Sequence, residues 1–217
     1  MDKKKLTRLI YILIASILVV DQVVKILVKT NMQLGDDIPL IGTWCHLHFT
    51  ENEGFAFGTS FGGVIGKYLL TILRIVGSGF IIWLIAKFIR EKQRPSLILC
   101  LTLILAGGVG NLIDSCFYGL IFNESYYTVA TLFPPEGGYA PLLQGRVVDM
   151  FYFPLFEFDW PSWVPGVGGK HDEFFSAIFN VADSAVTIGV FWLLIDQFFI
   201  APKHSKPAKK KAKAKES

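Results

Sequence analysis

The amino-acid sequence predicts an all-α membrane protein of four transmembrane helices. A small extracytoplasmic β-element and a loop insert complete it, and both termini are expected in the cytoplasm. Three observations carry that expectation. Of the 217 residues 52% are hydrophobic and only 18% charged, where a soluble domain carries about a quarter charged residues. Four segments are apolar over roughly 20 residues, the length a helix needs to cross a hydrocarbon core about 30 Å thick. The basic residues, finally, are collected on alternate connections.

The first span is expected at residues 6–28. It is too long for a cleavable leader, has no small-residue cleavage site after it, and carries an internal Asp21–Lys25 pair, so it reads as a retained anchor. The second is expected at 66–89, the third at 96–120 and the fourth at 174–200. Together they define one four-helix transmembrane domain over residues 1–200. A short link holding Lys87, Arg90, Lys92 and Arg94 joins the second and third spans, and the loops 29–65 and 121–173 are longer. Apart from Lys67 at the very edge of the second span, the only basic residues in or beside those two loops are Lys29, Arg146 and Lys170. The positive-inside rule therefore places the termini and the short link in the cytoplasm and the long loops outside.

Residues 201–217 form a basic tail with seven lysines from Lys203 to Lys215, expected to be disordered and solvated. A nucleic-acid partner would need a basic folded face, and none is visible. Cys45, Cys100 and Cys116 are too few and too scattered for a disulfide framework or a zinc cluster. His46 and His48 make a lone HxH without a third ligand nearby, so no metal or other cofactor is expected.

The outer loops have a pattern of their own. Trp44-Cys45-His46-Leu47-His48-Phe49-Thr50 alternates large apolar and polar side chains, which predicts a strand near the membrane surface. Residues 151–163 hold six aromatics besides Tyr152. Such rings favour the headgroup zone, either as an ordinary aromatic belt or as a surface that docks a lipid-bearing substrate.

Ionisable groups inside a span cost on the order of a few kcal/mol each, so each requires a reason. Asp21 and Lys25 lie four residues apart on one helix face and are expected to form a structural ion pair. Gly107-Gly108-Val109-Gly110-Asn111-Leu112-Ile113-Asp114 brings Asn111 and Asp114 onto one face of the third span. Close helix packing explains the glycines but not the two polar residues. Gly145-Arg146-Val147-Val148-Asp149 delivers an acid among apolar neighbours, and Phe179-Asn180-Val181-Ala182-Asp183 delivers another in the fourth span. Either Asp alone is more often a cap or an interhelical hydrogen-bonder. Two at one membrane level can share a proton, which is the chemistry of an aspartic peptidase. A small ion pathway and a non-enzymatic scaffold are the rival readings. Four spans without an inverted repeat argue against the pathway.

Five short blocks resemble the bacterial lipoprotein signal peptidase (signal peptidase II) family. They are Asp21-Gln-x-x-Lys25, Asn52-x-Gly54-x-Ala56-Phe57, Gly107-Gly108-x-Gly110-Asn111-x-x-Asp114, Val147-Val148-Asp149 and Phe179-Asn180-x-Ala182-Asp183. The resemblance runs from about residue 6 to residue 200. It implies an aspartic endopeptidase of the bacterial inner membrane that cuts diacylglyceryl-modified prolipoproteins before the lipidated Cys. On that mapping Asp149 and Asp183 are catalytic, while Asn52, Gly54, Asn111, Asp114 and Asn180 line or support the site. It further implies an active site at the outer face, contact with membrane lipid, and inhibition by globomycin; nothing demands more than a monomer. Two departures stand out. Ser115 occupies a place where the family usually has Arg, leaving Arg146 as a substitute. About thirty residues also intervene between Asp114 and Asp149, expected to form an outer flap or docking element.

Overall fold

The computed structural model describes residues 2–53 and 63–200. Four helices are long and apolar enough to cross a membrane: α1 (Lys3–Asn31), α2 (Gly63–Arg90), α3 (Pro95–Ile121) and α4 (Val181–Phe199). The chain divides into two compact units. One combines Met1–Val19, Ile75–Gly110 and Ala182–Ser217; the other combines Val20–Arg74 and Asn111–Val181.

In the first unit the core is Leu6, Ile10, Ile85, Ile98, Leu101 and Leu105. Here α3 and α4 approach closely because α3 offers glycine at the crossing. A Cβ on Gly107 would lie 2.2 Å from the Ala182 carbonyl oxygen, an impossible contact, so nothing larger than glycine fits. Asp196, fully buried on α4, is paired with Arg94 at 2.8 Å. In this unit Val76, Phe80 and Ile82 of α2 are all more than half exposed, as lipid contact requires, while Ile85 joins the core.

The second unit contains a four-stranded antiparallel sheet of order β1–β2–β3–β6, formed by β1 (Asp37–Ile41), β2 (Cys45–Asn52), β3 (Val147–Tyr152) and β6 (Ile178–Phe179). The alternation starting at Trp44 thus becomes β2. A register shift between Leu47 and Thr50 bends β2 against β3 and sets Thr50 opposite Asp149. The Nδ1 atoms of His46 and His48 lie 2.5 and 3.1 Å from the two carboxylate oxygens of Asp37. That contact holds the Asp37 pKa below, and the His46 pKa above, the ordinary values, in each case chiefly through the hydrogen bond between them. The core beneath the sheet is Val28, Met32, Phe49, Tyr118, Phe122, Val148 and Met150.

The aromatic run after β3 becomes a separate hairpin, β4 (Phe156–Asp159) with β5 (His171–Phe174). Its rings stack: Phe156 and Phe174 are 4.6 Å apart and nearly parallel. This hairpin changes one expected boundary. The fourth helix begins at Val181 rather than at residue 174, because the apolar stretch before it is used by β5 and β6. A continuous apolar run does not distinguish a buried strand from the first turns of a helix.

Residues between Asp114 and Asp149 pack back on the end of α3. The last carbonyls of a helix lack intrahelical partners, and this segment supplies them. Gly145 N–H donates to Ser115 O (2.9 Å), Leu143 N–H to Cys116 O (3.2 Å), Ala140 N–H to Gly119 O (2.9 Å) and Phe133 N–H to Ile121 O (2.7 Å). A Cβ on Gly145 would meet the Asp114 carbonyl oxygen at 2.0 Å, so the return path also depends on glycine. The insert caps the end of this helix.

Candidate active site

The second unit gathers most of the polar residues singled out in the sequence into one hydrogen-bonded chain. It begins on α1, where Lys25 Nζ lies 2.9 Å from Asp21 and 2.8 Å from Asp114, all three fully buried. One lysine between two carboxylates offsets part of the cost of burying three charges. The surplus negative charge is met by neutral donors: Gln22 Nε2 donates to Asp114 Oδ1 (2.9 Å) and to Asp21 Oδ2 (3.1 Å). Tyr118 OH in turn donates to Gln22 Oε1 (3.1 Å), fixing the amide's orientation.

Asp114 sits where α3 widens into a π-helical stretch, Asp114–Tyr118. Such bulges shift the phase of a helix and are common at functional sites. Its other oxygen accepts from the Val148 backbone N–H at 3.3 Å, so it also holds β3 in place.

Asn111 is the hinge of the chain. Its Oδ1 accepts from Lys25 Nζ (2.8 Å) and from Asn180 Nδ2 (3.1 Å). Asn180, fully buried between β6 and α4, continues to the Val148 carbonyl (3.2 Å) and to Asp149 Oδ1 (2.7 Å). The short β6 makes this possible. It pairs Phe179 with Phe151, two residues beyond Asp149, and Asn180 follows directly before α4.

Asp149 follows Asn180 in this hydrogen-bonded chain. It is only 4% exposed on a strand whose first four residues are all buried. Asn180 holds one oxygen and Asn52 Nδ2 approaches the other at 3.4 Å. A carboxyl gripped by two side-chain amides is fixed in orientation yet can bind or release a proton, a useful property for acid–base work. Asp183 lies in the first turn of α4, half-buried, three residues after Asn180. Gly54 falls outside the described residues.

Arg146 is occupied elsewhere. Its guanidinium pairs with Glu124 in bidentate fashion (2.8 and 3.0 Å), reaches Glu51 at 3.1 Å and lies over the Tyr139 ring. A second arginine stands next to Ser115. Arg74 on α2 donates from Nη1 to Ser115 Oγ at 3.0 Å, and Ser115 Oγ donates to the Asn111 carbonyl at 2.9 Å. Sequence reasoning passed over Arg74, although the signal was present. An arginine inside an otherwise apolar span has the same cost as Asp114 and requires the same explanation.

Comparison with known proteins shows the family. The family model described as Signal peptidase (SPase) II matches residues 13–199. A lipoprotein signal peptidase of Porphyromonas gingivalis is 50% identical over 184 residues, covering 84% of this chain and 80% of that protein. One from Amoebophilus asiaticus is 38% identical over 82% of this chain and 73% of its own length, and one from Brevibacillus brevis 31% over 89% and 97%. Among solved structures, two described as bacterial membrane enzymes superpose with TM-scores of 0.57 and 0.55. Their identities are 23% and 25%, and the matches cover 92% and 88% of this chain and 92% of each neighbour.

Proposed function

The chain belongs to the signal peptidase II family, a family of aspartic peptidases, and we propose that Asp149 and Asp183 form its catalytic pair. Its activity is the removal of signal peptides from prolipoproteins. The scissile bond is the one preceding a cysteine that already carries diacylglyceryl. The observation that carries the reading is the setting of Asp149. It is a buried acid on a central strand, held by two neutral amides, one of them belonging to the residue directly before α4.

The chemistry follows from two carboxyls that share one proton. The ionised one takes a proton from a water as that water attacks the scissile carbonyl carbon. The protonated one donates to the carbonyl oxygen, and the proton taken from water passes to the leaving amine as the C–N bond breaks. Asn180 and Asn52 keep the Asp149 carboxyl turned toward the substrate, and Asn111 keeps Asn180 in line. Where the family pattern has an arginine beside the third-span acid, Arg74 brings a guanidinium to Ser115 from α2. Both termini lie in the cytoplasm and the site faces the outer side of the inner membrane, a reading supported by the basic residues on the short link and tail. The protein works as a monomer in contact with lipid, without a cofactor, and globomycin inhibits it.

Asp149→Asn and Asp183→Asn test the pair directly. Each variant, purified in detergent, is expected to lose cleavage of a diacylglyceryl-modified prolipoprotein while keeping its unfolding midpoint. Normal cleavage by either variant removes that residue from the pair. Lost stability with residual cleavage would favour a structural role instead.

A further inference from the structure

In the first unit, the beginning of α1 and the end of α2 enclose a cleft of about 500 Å³ that the catalytic reading does not use. Lys3, Arg90 and Lys92 line it, with Asp2 as the single acid among its lining residues, so its balance is cationic. Its inner wall is apolar: Leu6 and Ile98 line it too, and both are buried. A basic rim over an apolar floor complements a molecule with an anionic head and a hydrocarbon body.

Two further observations bear on the occupant. With 29 residues at about 1.5 Å each, α1 spans roughly 43 Å, close to the ~40–45 Å of a bilayer with its headgroups. The terminal turn that carries Lys3 therefore falls at headgroup depth. The second observation concerns Lys92. It closes α2 with a left-handed backbone, φ 54°, while Gln93 N–H donates back to the Phe88 carbonyl at 2.9 Å. Glycine is the ordinary residue at that position because it adopts this conformation without penalty. A lysine there carries a backbone cost that glycine would avoid, and it adds a cation to the rim of the cleft.

We infer that this cleft binds the headgroup of an anionic phospholipid. The phosphate sits among Lys3, Arg90 and Lys92, and the glyceryl end of the acyl chains lies on Leu6. Basic pockets between membrane helices serve this purpose generally, each cation contributing to the attraction. Glu91 does not cancel the site, since it is turned to Lys87 at 3.9 Å.

The experiment is native mass spectrometry of the full chain after detergent exchange, with phosphatidylglycerol or phosphatidylcholine supplied as probe. Phosphatidylglycerol is expected to be retained about fivefold or more over phosphatidylcholine, the ratio that one cation at a membrane surface supplies. Lys92→Gly removes the backbone penalty along with the charge. It should keep or raise the unfolding midpoint in lipid-free detergent while lowering phosphatidylglycerol retention about fivefold. Lys3→Gln with Arg90→Gln should abolish the preference. Equal retention of the two lipids, or unchanged retention in these variants, overturns the inference. So does inorganic phosphate raising the unfolding midpoint as far as the lipid does, because the apolar floor would then contribute nothing.

Discussion

A buried charge in a membrane protein is informative because its neighbours must account for its cost. Asp21, Lys25 and Asp114 account for one another, and Asn111 and Asn180 extend that arrangement to Asp149. Arg74 enters the same neighbourhood through Ser115. A hydrogen bond to a charged group is worth about 1.5–3 kcal/mol, so Arg74→Gln should lower turnover of lipidated substrate about 10- to 100-fold. If the guanidinium matters for its location rather than its origin, Arg74→Gln with Ser115→Arg should recover part of the loss. Single-turnover cleavage of the three variants decides this, and wild-type turnover in Arg74→Gln would leave the residue a structural role only. Asp114 and Asp149 stood out in the sequence because they interrupt apolar runs. The partners of each were not legible, because a side-chain amide such as Asn52 or Gln22 has the same composition whether it faces water or a buried carboxylate.

Among the elements, the insert between α3 and β3 differs most from a connecting loop. Its backbone donors cap the end of α3, and its side chains enter a charge network around Glu51 on β2. Lys29 pairs with Glu51 and donates to Ser125 Oγ (2.7 Å), and Arg146 spans Glu51 and Glu124. Burial would raise the Glu51 pKa, but Lys29, Ser125 and Arg146 outweigh it and hold it below 4.5. The sign of the linkage follows. A carboxylate with a depressed folded pKa contributes stability above its unfolded value, and that contribution is lost as the pH falls through the folded one. Thermal unfolding in detergent should therefore show wild-type stability dropping from about pH 4.5 downward. Glu51→Gln should be less stable at neutral pH, by about 3–5 kcal/mol for a broken buried pair, yet nearly flat over that acid range. A parallel decline in both proteins would show that Glu51 is not the group responsible. The thirty-residue length of the insert was legible as an oddity. Its attachment was not, because capping depends on backbone N–H groups that every residue except proline possesses.

For the whole molecule, what could be read in advance was what lipid imposes. Four apolar runs of sufficient length are nearly obligatory as helices, since unpaired backbone groups are not tolerated in hydrocarbon; all four appear in the structure. The boundary at Val181 was harder, since β6 and the start of α4 are equally apolar and only pairing with β3 separates them. Orientation is a further property of the whole chain, set by where cations are retained during insertion. It predicts that residue 127, in the insert, and residue 205, in the tail, lie on opposite sides of the membrane. Cys45, Cys100 and Cys116 are all buried, so an added cysteine can be read against a low background. Tyr127 is 92% exposed, and Tyr127→Cys should react with a membrane-impermeant maleimide in intact spheroplasts. Ser205→Cys should react only after lysis. The reverse pattern would place the insert, and with it Glu124 and Arg146, in the cytoplasm, where a prolipoprotein exported across the membrane could not reach the site. Labelling of both in intact spheroplasts would mean an odd number of crossings, and one of the four helices would then have to lie along the surface.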